Sequence, residues 1–288
     1  MKALLLTGLL FILILPGCRK ETSILPLLQS VEELIPMYAD SASVLLDSIQ
    51  APDELTDKDF AHWCMLCGKV TDEAATGLLP IYQWQRAQQW FTEHGTAEEQ
   101  AQIDLYLGRA YVEDGEYDKA MQIYADALQL AKEHQAYNVA GYICAYMADL
   151  YGFRDITSEC LKKREEACEF FKKAENYKSY AYSLKDLAGE WAILDSFACT
   201  IPLLQKADSI SQLLHNKNLT AAIANAFALI YEMQGKYNEA ETAYLKAIST
   251  RSEESYKDSI GLLKVYIKNN KLGKAYELIK ASNPQLSP

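Results

Sequence analysis

The chain has 288 residues, room for one large domain or a run of small units. Half of them are hydrophobic and 23% are charged, which excludes a disordered polymer. A net charge of −11 without a basic stripe is repelled by a phosphate backbone and argues against nucleic acid as a direct partner.

Residues 1–17 read as a signal peptide. Lys2 is a positive n-region, and Ala3 to Leu15 form an apolar run too short for a bilayer, which takes about 20 helical residues. Leu15-Pro16-Gly17-Cys18 follows. This string resembles the lipobox of bacterial lipoproteins, with Pro16 where that family carries a small residue. The resemblance implies that Cys18 is diacylated and becomes the N-terminus of a short tether over 18–25. Membrane attachment then runs through lipid at Cys18, since several acyl chains hold a protein stably. Arg19 in place of an Asp leans, by the same resemblance, toward the outer membrane, and Lys20-Glu21 hints at surface export. An ordinary signal peptide is the simpler alternative.

Residues 26–100 are helical but irregular. Ala42, Leu46 and Ile49 suit the second helix of a helix pair, and Phe60–Val70 after Asp57 suits a first helix. Leu79–His94 has Pro80 near its first position, where proline is tolerated, and stops before Gly95. Thr96-Ala97-Glu98-Glu99 is a capping box. The segment is expected to cap a repeat array, as terminal units must. It also holds Trp63-Cys64-Met65-Leu66-Cys67, which resembles the redox string of thioredoxin-like proteins. That chemistry needs a strand before it and a helix N-terminus beneath the thiol. Inside a helix, Cys64 and Cys67 are more simply two small apolar residues on one face. A zinc reading adds His62, but no second close pair completes a tetrahedral set. Cys144, Cys160, Cys168 and Cys199 are scattered and suit repeat cores, although an exported chain could pair them. His62, His94, His134 and His215 lack metal spacing, and no phosphate loop, nucleophile elbow or dinucleotide fingerprint occurs. No metal, cofactor or catalytic residue is expected.

From 101 onward the chain repeats itself. In 101–134, Leu107-Gly108 is followed by Tyr111, Gly115, Tyr117, Ala120, Tyr124 and Ala127. At 141–174 come Met147-Ala148, Tyr151, Ala167, Phe171 and Ala174, which implies about seven extra residues in the turn. At 181–207 come Leu187-Ala188, Trp191, Phe197, Leu204 and Ala207, with Thr200 for an alanine. At 221–247 come Phe227-Ala228, Tyr231, Gly235, Tyr237, Ala240, Tyr244 and Ala247. A weaker unit holds Leu262, Tyr266, Leu272, Ala275 and Ile279. Tyr111, Tyr151, Trp191 and Tyr231 are 40 residues apart, and Tyr266 follows after 35. Small residues such as Gly108 and Ala120 let two antiparallel helices approach, and Gly115 suits the left-handed residue after a helix.

This pattern resembles the tetratricopeptide repeat, with Asp104 where the early Trp stands and Lys132 at the closing Pro. The resemblance implies an all-α protein. It would be an α-solenoid, a right-handed superhelix of helix pairs, with five repeats over 101–282 and a tail at 283–288. Periods nearer 40 than 34 require longer helices or longer links. The stretch from Ala39-Asp40-Ser41-Ala42 to Asp47-Ser48-Ile49 is similar to one preceding the repeats in lipoproteins of Bacteroidetes-like bacteria. Many of those continue into a transmembrane helix and a helix-turn-helix domain, which do not follow before Pro288, so direct transcriptional regulation is not expected.

In such solenoids the first helix of each unit lines a concave groove. Carried over by register, the groove residues are Gln102, Leu105 and Arg109, then Tyr142, Ala145 and Asp149. Further along they are Tyr182, Lys185, Asn225, Leu229, Lys257, Ile260 and Lys264. This mixed surface of tyrosines and alternating charge suits an unknown protein or peptide, extended or helical. The expected function is a lipid-anchored binding scaffold without catalysis, facing an extracytoplasmic space. One alternative is an outer-membrane assembly lipoprotein with similar repeats. Another is a redox or metal-binding protein using Cys64 and Cys67.

Overall fold

The computed structural model describes residues 24–74, 76–251 and 256–282. The expected signal peptide, Cys18, Arg19, Lys20-Glu21 and the expected tail lie outside the described residues, as does the Lys257 side chain. Among the described residues there are thirteen α-helices, a 3₁₀ turn at Pro52–Glu54, and no strand. None of these helices is long and apolar enough to cross a membrane.

The first three helices are α1 (Leu25–Asp47), α2 (Asp57–Ala74) and α3 (Ile81–His94). Pro36 interrupts α1, because it removes one backbone donor and crowds the preceding turn, and Tyr38 leaves helical dihedrals at φ −141°, ψ 54°. Pro80 sits one place earlier than expected, as the N-cap of α3, and Gly95 ends that helix. Phe60, Cys64, Val70, Trp84 and Phe91 pack with Leu28, Val31 and Leu46 into one core that reaches Ile103 and Leu107 of the next helix.

The array proper is α4 (Ala97–Glu113), α5 (Tyr117–Glu133), α6 (Tyr137–Phe153), α7 (Thr157–Lys173), α8 (Tyr177–Ile193), α9 (Phe197–Leu213), α10 (Lys217–Met233) and α11 (Tyr237–Thr250). It ends with α12 (Tyr256–Lys268) and α13 (Leu272–Ser282). From α4 to α10 every helix has 17 residues and is joined to the next by three, so a pair of helices and their links takes 40. The long period therefore comes from long helices. The expected extra turn residues in the second unit do not exist: α6 and α7 are joined by 154–156. With the register unbroken, the counterpart of Ala120 is Cys160, that of Tyr124 is Arg164, and that of Ala127 is Ala167. A buried cysteine is small enough for the close approach, which is why the missing alanine misled the reading.

Each unit is a pair of antiparallel helices, and successive first helices also touch, α4 on α6, α8 on α10 and α10 on α12. The contact needs small residues: Gly108, Ala148, Ala188 and Ala228 are all buried, as are Ala120, Cys160, Thr200 and Ala240. A Cβ on Gly108 would lie 2.3 Å from the Tyr124 ring, and one on Gly141 2.8 Å from Phe171. Thr200 is tolerated because its hydroxyl donates to the Ser196 carbonyl at 3.1 Å. Thr96 and Glu99 form the expected reciprocal cap of α4. Asn176 and Asn216 cap α8 and α10 through their side-chain oxygens. Buried residues form a continuous core through the middle units, with satellites further along. The fold is an α-solenoid of tetratricopeptide-like helix pairs.

Candidate functional site

The first helices α4, α6, α8 and α10 present residues at 40-residue intervals to the inner face. In an α-helix, places three and four apart share a face, so 142, 145, 146 and 149 form one strip and 182, 185, 186 and 189 the next. The structure gathers Arg109, Tyr142, Ala145, Asp149 and Tyr182 around one concavity of about 580 Å³. One end is closed by residues not foreseen: Thr71, Asp72, Glu73 and Thr76, where α2 runs out. Lys178 at the start of α8 donates to Glu73 at 2.8 Å, bridging 105 residues of sequence. This tie joins α2 to α8 at the groove's mouth.

The polar groups of the hollow are held by one another. Arg109 forms an ion pair with Asp72, which also accepts from the Tyr106 hydroxyl at 2.9 Å. Burial raises the Asp72 pKa, and the Arg109 charge opposes the rise. The Arg109 guanidinium lies 4.8 Å from the centre of the Tyr146 ring, a cation–π contact. On the far side Arg164 donates to Asp149 at 2.6 Å and lies 3.5 Å from Glu190. Burial also raises Asp149, against the pull of Arg164. The Tyr142 hydroxyl shares a hydrogen bond of 2.8 Å with Ser179. Two arginines and two tyrosines are thus oriented in advance on rigid helices, which lowers the entropy lost when a ligand is held.

The other expected groove residues are placed differently. Leu105 is 1% exposed and belongs to the core between units, because α5 and α6 cover it. Gln102 lines a separate hollow of about 370 Å³ with Glu32, Lys69 and Phe91. Lys185 and Asn225 line a further one of about 370 Å³ with Leu229, Ile193 and Met233, in which Lys185 pairs with Asp186. Asn225 donates to Asp258, which Arg251 also binds at 3.2 Å. Lys264 is exposed on α12 and lines none of these hollows. Arg164 and the α2 residues were missed. Arg164 was passed over because the expected extra turn residues gave the place of Tyr124 to Phe171, and α2 contributes through a contact remote in sequence.

Cys64 and Cys67 lie in the middle of α2, away from its N-terminus. Cys64 is fully buried, its S–H directed at the Gln83 carbonyl 3.8 Å away. Burial pushes both Cys64 and Cys67 far above the ordinary thiol range, whereas a nucleophilic thiol needs the opposite shift. Cys144 and Cys168 are pushed up to about 12 and Cys160 to about 11, again first by burial. All six described cysteines are unpaired. Among the described residues no three His, Cys, Asp or Glu side chains gather as a metal site.

Two segments match tetratricopeptide-repeat family profiles, 107–135 on α4–α5 and 220–254 on α10–α11. No curated protein matches the chain in sequence. The apo form of RapI superposes with a TM-score of 0.65 at 14% identity, over 90% of this chain and 75% of that one. A Rap protein complexed with competence and sporulation factor gives 0.62 at 17%, over 88% and 74%. NprR in complex with its cognate peptide NprX gives 0.58 at 14%, over 91% and 78%. At such identities these likenesses show the fold, and the chain carries tetratricopeptide repeats within it.

Proposed function

We propose that the chain is a lipid-anchored, non-catalytic scaffold that binds a segment of another protein in its concave groove. The observation that carries this reading is the hollow that gathers Arg109, Tyr142, Asp149 and Tyr182, with side chains already held by Asp72, Ser179 and Arg164. It supports a ligand with both apolar and polar groups, because the rings offer apolar faces and the ion pairs offer directional partners. The same solenoid form is seen in a Rap protein with competence and sporulation factor and in NprR with its peptide, which favours a peptide over a small metabolite.

The anchor rests on Leu15-Pro16-Gly17-Cys18, and Arg19 favours the outer membrane, with the solenoid facing an extracytoplasmic space. Lipid would confine the groove to a membrane surface. The test has two arms. Labelling with a palmitate analogue should mark the wild type, and Cys18→Ala should release the chain from membranes. A soluble form screened on tiled peptides of exported proteins should select binders that weaken about tenfold with Tyr182→Ala, a contact of about 1.4 kcal/mol. Binders indifferent to Tyr182→Ala would move the site out of the groove.

A further inference from the structure

Beside the central hollow lies a second one of about 360 Å³, between the ends of α4 and α6 and the start of α5. It shares Arg109, Tyr146 and Asp149 with its neighbour but has a different character. Val112 and Leu150 line it together with Tyr117 and Phe153, whose ring centres are 5.2 Å apart. Tyr124 lines it as well. That side chain is fully buried, and its hydroxyl has no hydrogen-bond partner. Buried hydroxyls are nearly always satisfied, so one left unpartnered at the wall of a hollow marks a place for a ligand's polar atom.

The chain supplies its own control. Tyr244 holds the place of Tyr124 three repeats later, 120 residues on. Its hydroxyl donates to Glu232 at 3.4 Å. The residue 120 places before Glu232 is Val112. The later unit thus satisfies its tyrosine internally, whereas the first unit puts an apolar residue there and leaves the buried hydroxyl unpartnered behind the wall of the hollow.

The surroundings narrow what can fill it. Burial pushes the Tyr124 phenol far above its ordinary range, so it stays protonated and donates. Arg109 is already paired with Asp72 and seated over Tyr146. The carboxylates of Glu113 and Asp149 line the hollow and disfavour an anion. The missing group is therefore an uncharged acceptor carried on a flat apolar body. A hydroxyl can accept from Tyr124 and give its own proton to a carboxylate, which neither an ammonium nor a carboxylate can do. We infer that this hollow binds a phenolic ring, presented as a tyrosine side chain by the segment held in the adjoining groove. The inference rests on the groove reading for the source of the ring, and its pocket is separately testable.

Saturation-transfer NMR on the whole mature chain would use p-cresol, N-acetyl-tyrosinamide and toluene as probes. Both phenols should bind, and Tyr124→Phe should weaken each about fivefold, the worth of one hydrogen bond, while toluene is unaffected. Val112→Glu recreates the Glu232–Tyr244 pair. It should abolish binding of all three and keep the melting transition. Phenol binding indifferent to Tyr124→Phe overturns the inference, as does a soaked crystal in which Tyr124 holds only ordered water. Binding of p-cresol with exclusion of N-acetyl-tyrosinamide overturns the peptide-borne source. Peptide capture that depends on Tyr182 but ignores Tyr124→Phe overturns the pocket and leaves the groove reading standing.

Discussion

Asp104 stands where the repeat usually has a tryptophan, and the structure shows what replaced the missing contact. Its carboxylate accepts from the Gln88 side-chain amide at 2.6 Å across the α3–α4 interface. Burial pushes its pKa up to about 6, and the nearby Asp126 adds to the rise. The folded state therefore holds this proton more tightly than the unfolded chain, whose value is near 3.8. Between those values the native state carries more protons, so stability falls as pH rises through the window. Above pH 6 the full cost remains. Asp104→Asn keeps an oxygen for Gln88 and cannot ionise. It should raise the melting temperature clearly at pH 8 and less at pH 5, as followed by circular dichroism at both. An equal gain at the two pH values would mean that Asp104 is not penalised by burial.

Among the helices, the connecting turns repeat more faithfully than the side chains. A left-handed residue occurs every 20 places: Gly115, Gln135, Asp155, Glu175, Asp195, His215 and Gly235, all with φ between 50° and 79°. One place on, each backbone N–H reaches back to the carbonyl five residues earlier, as Glu116 does to Tyr111 and Asn176 to Phe171. This is the Schellman end of a helix, for which glycine is preferred because other residues lose about 1–2 kcal/mol in that conformation. Glu175→Gly should therefore stabilise the chain by about 0.5–1 kcal/mol after the added freedom of the unfolded state is subtracted. Gly235→Ala should cost a similar amount, and urea titration measures both. Within α4, Gly108→Leu drives a side chain into the Tyr124 ring and should cost about 1–3 kcal/mol or more. The exposed Glu98→Leu should cost far less, and equal effects would put the repeat register in error. Gly115 and Gly235 were legible in sequence because glycine marks such turns. The five like turns between them were not, since Gln and Glu carry no such signal and Asp and His only a weak one. Leu105 was misplaced for a related reason: helical spacing gives a face, but which neighbour covers that face depends on the packing of α5 and α6.

For the whole molecule, the question is what sets the groove's width. In a solenoid each unit touches only its neighbours, so curvature accumulates from small rotations and no single contact fixes it. Here Glu73 and Lys178 join α2 to α8 across two intervening first helices. The two side chains are 43% and 47% exposed, so solvent screens the pair and its worth to folding is small, about 0–1 kcal/mol. Its leverage on shape is larger, because a force at the ends of a stack acts on every interface between them. Lys178→Glu places two carboxylates at the groove's mouth and should open it. The expected result is a larger radius of gyration by small-angle X-ray scattering, with a melting temperature within a degree or two of wild type. The double exchange Glu73→Lys with Lys178→Glu restores opposite charges and should return the curve to its original form. Salt should shrink the difference between wild type and Lys178→Glu, since exposed charges are screened over about 10 Å at 0.1 M. Should the single exchange lower the melting temperature sharply and leave the scattering unchanged, the pair would be holding the fold together rather than setting the aperture. Peptide capture measured on the same variants ties shape to use: an opened mouth should weaken binding in Lys178→Glu, and the double exchange should recover it.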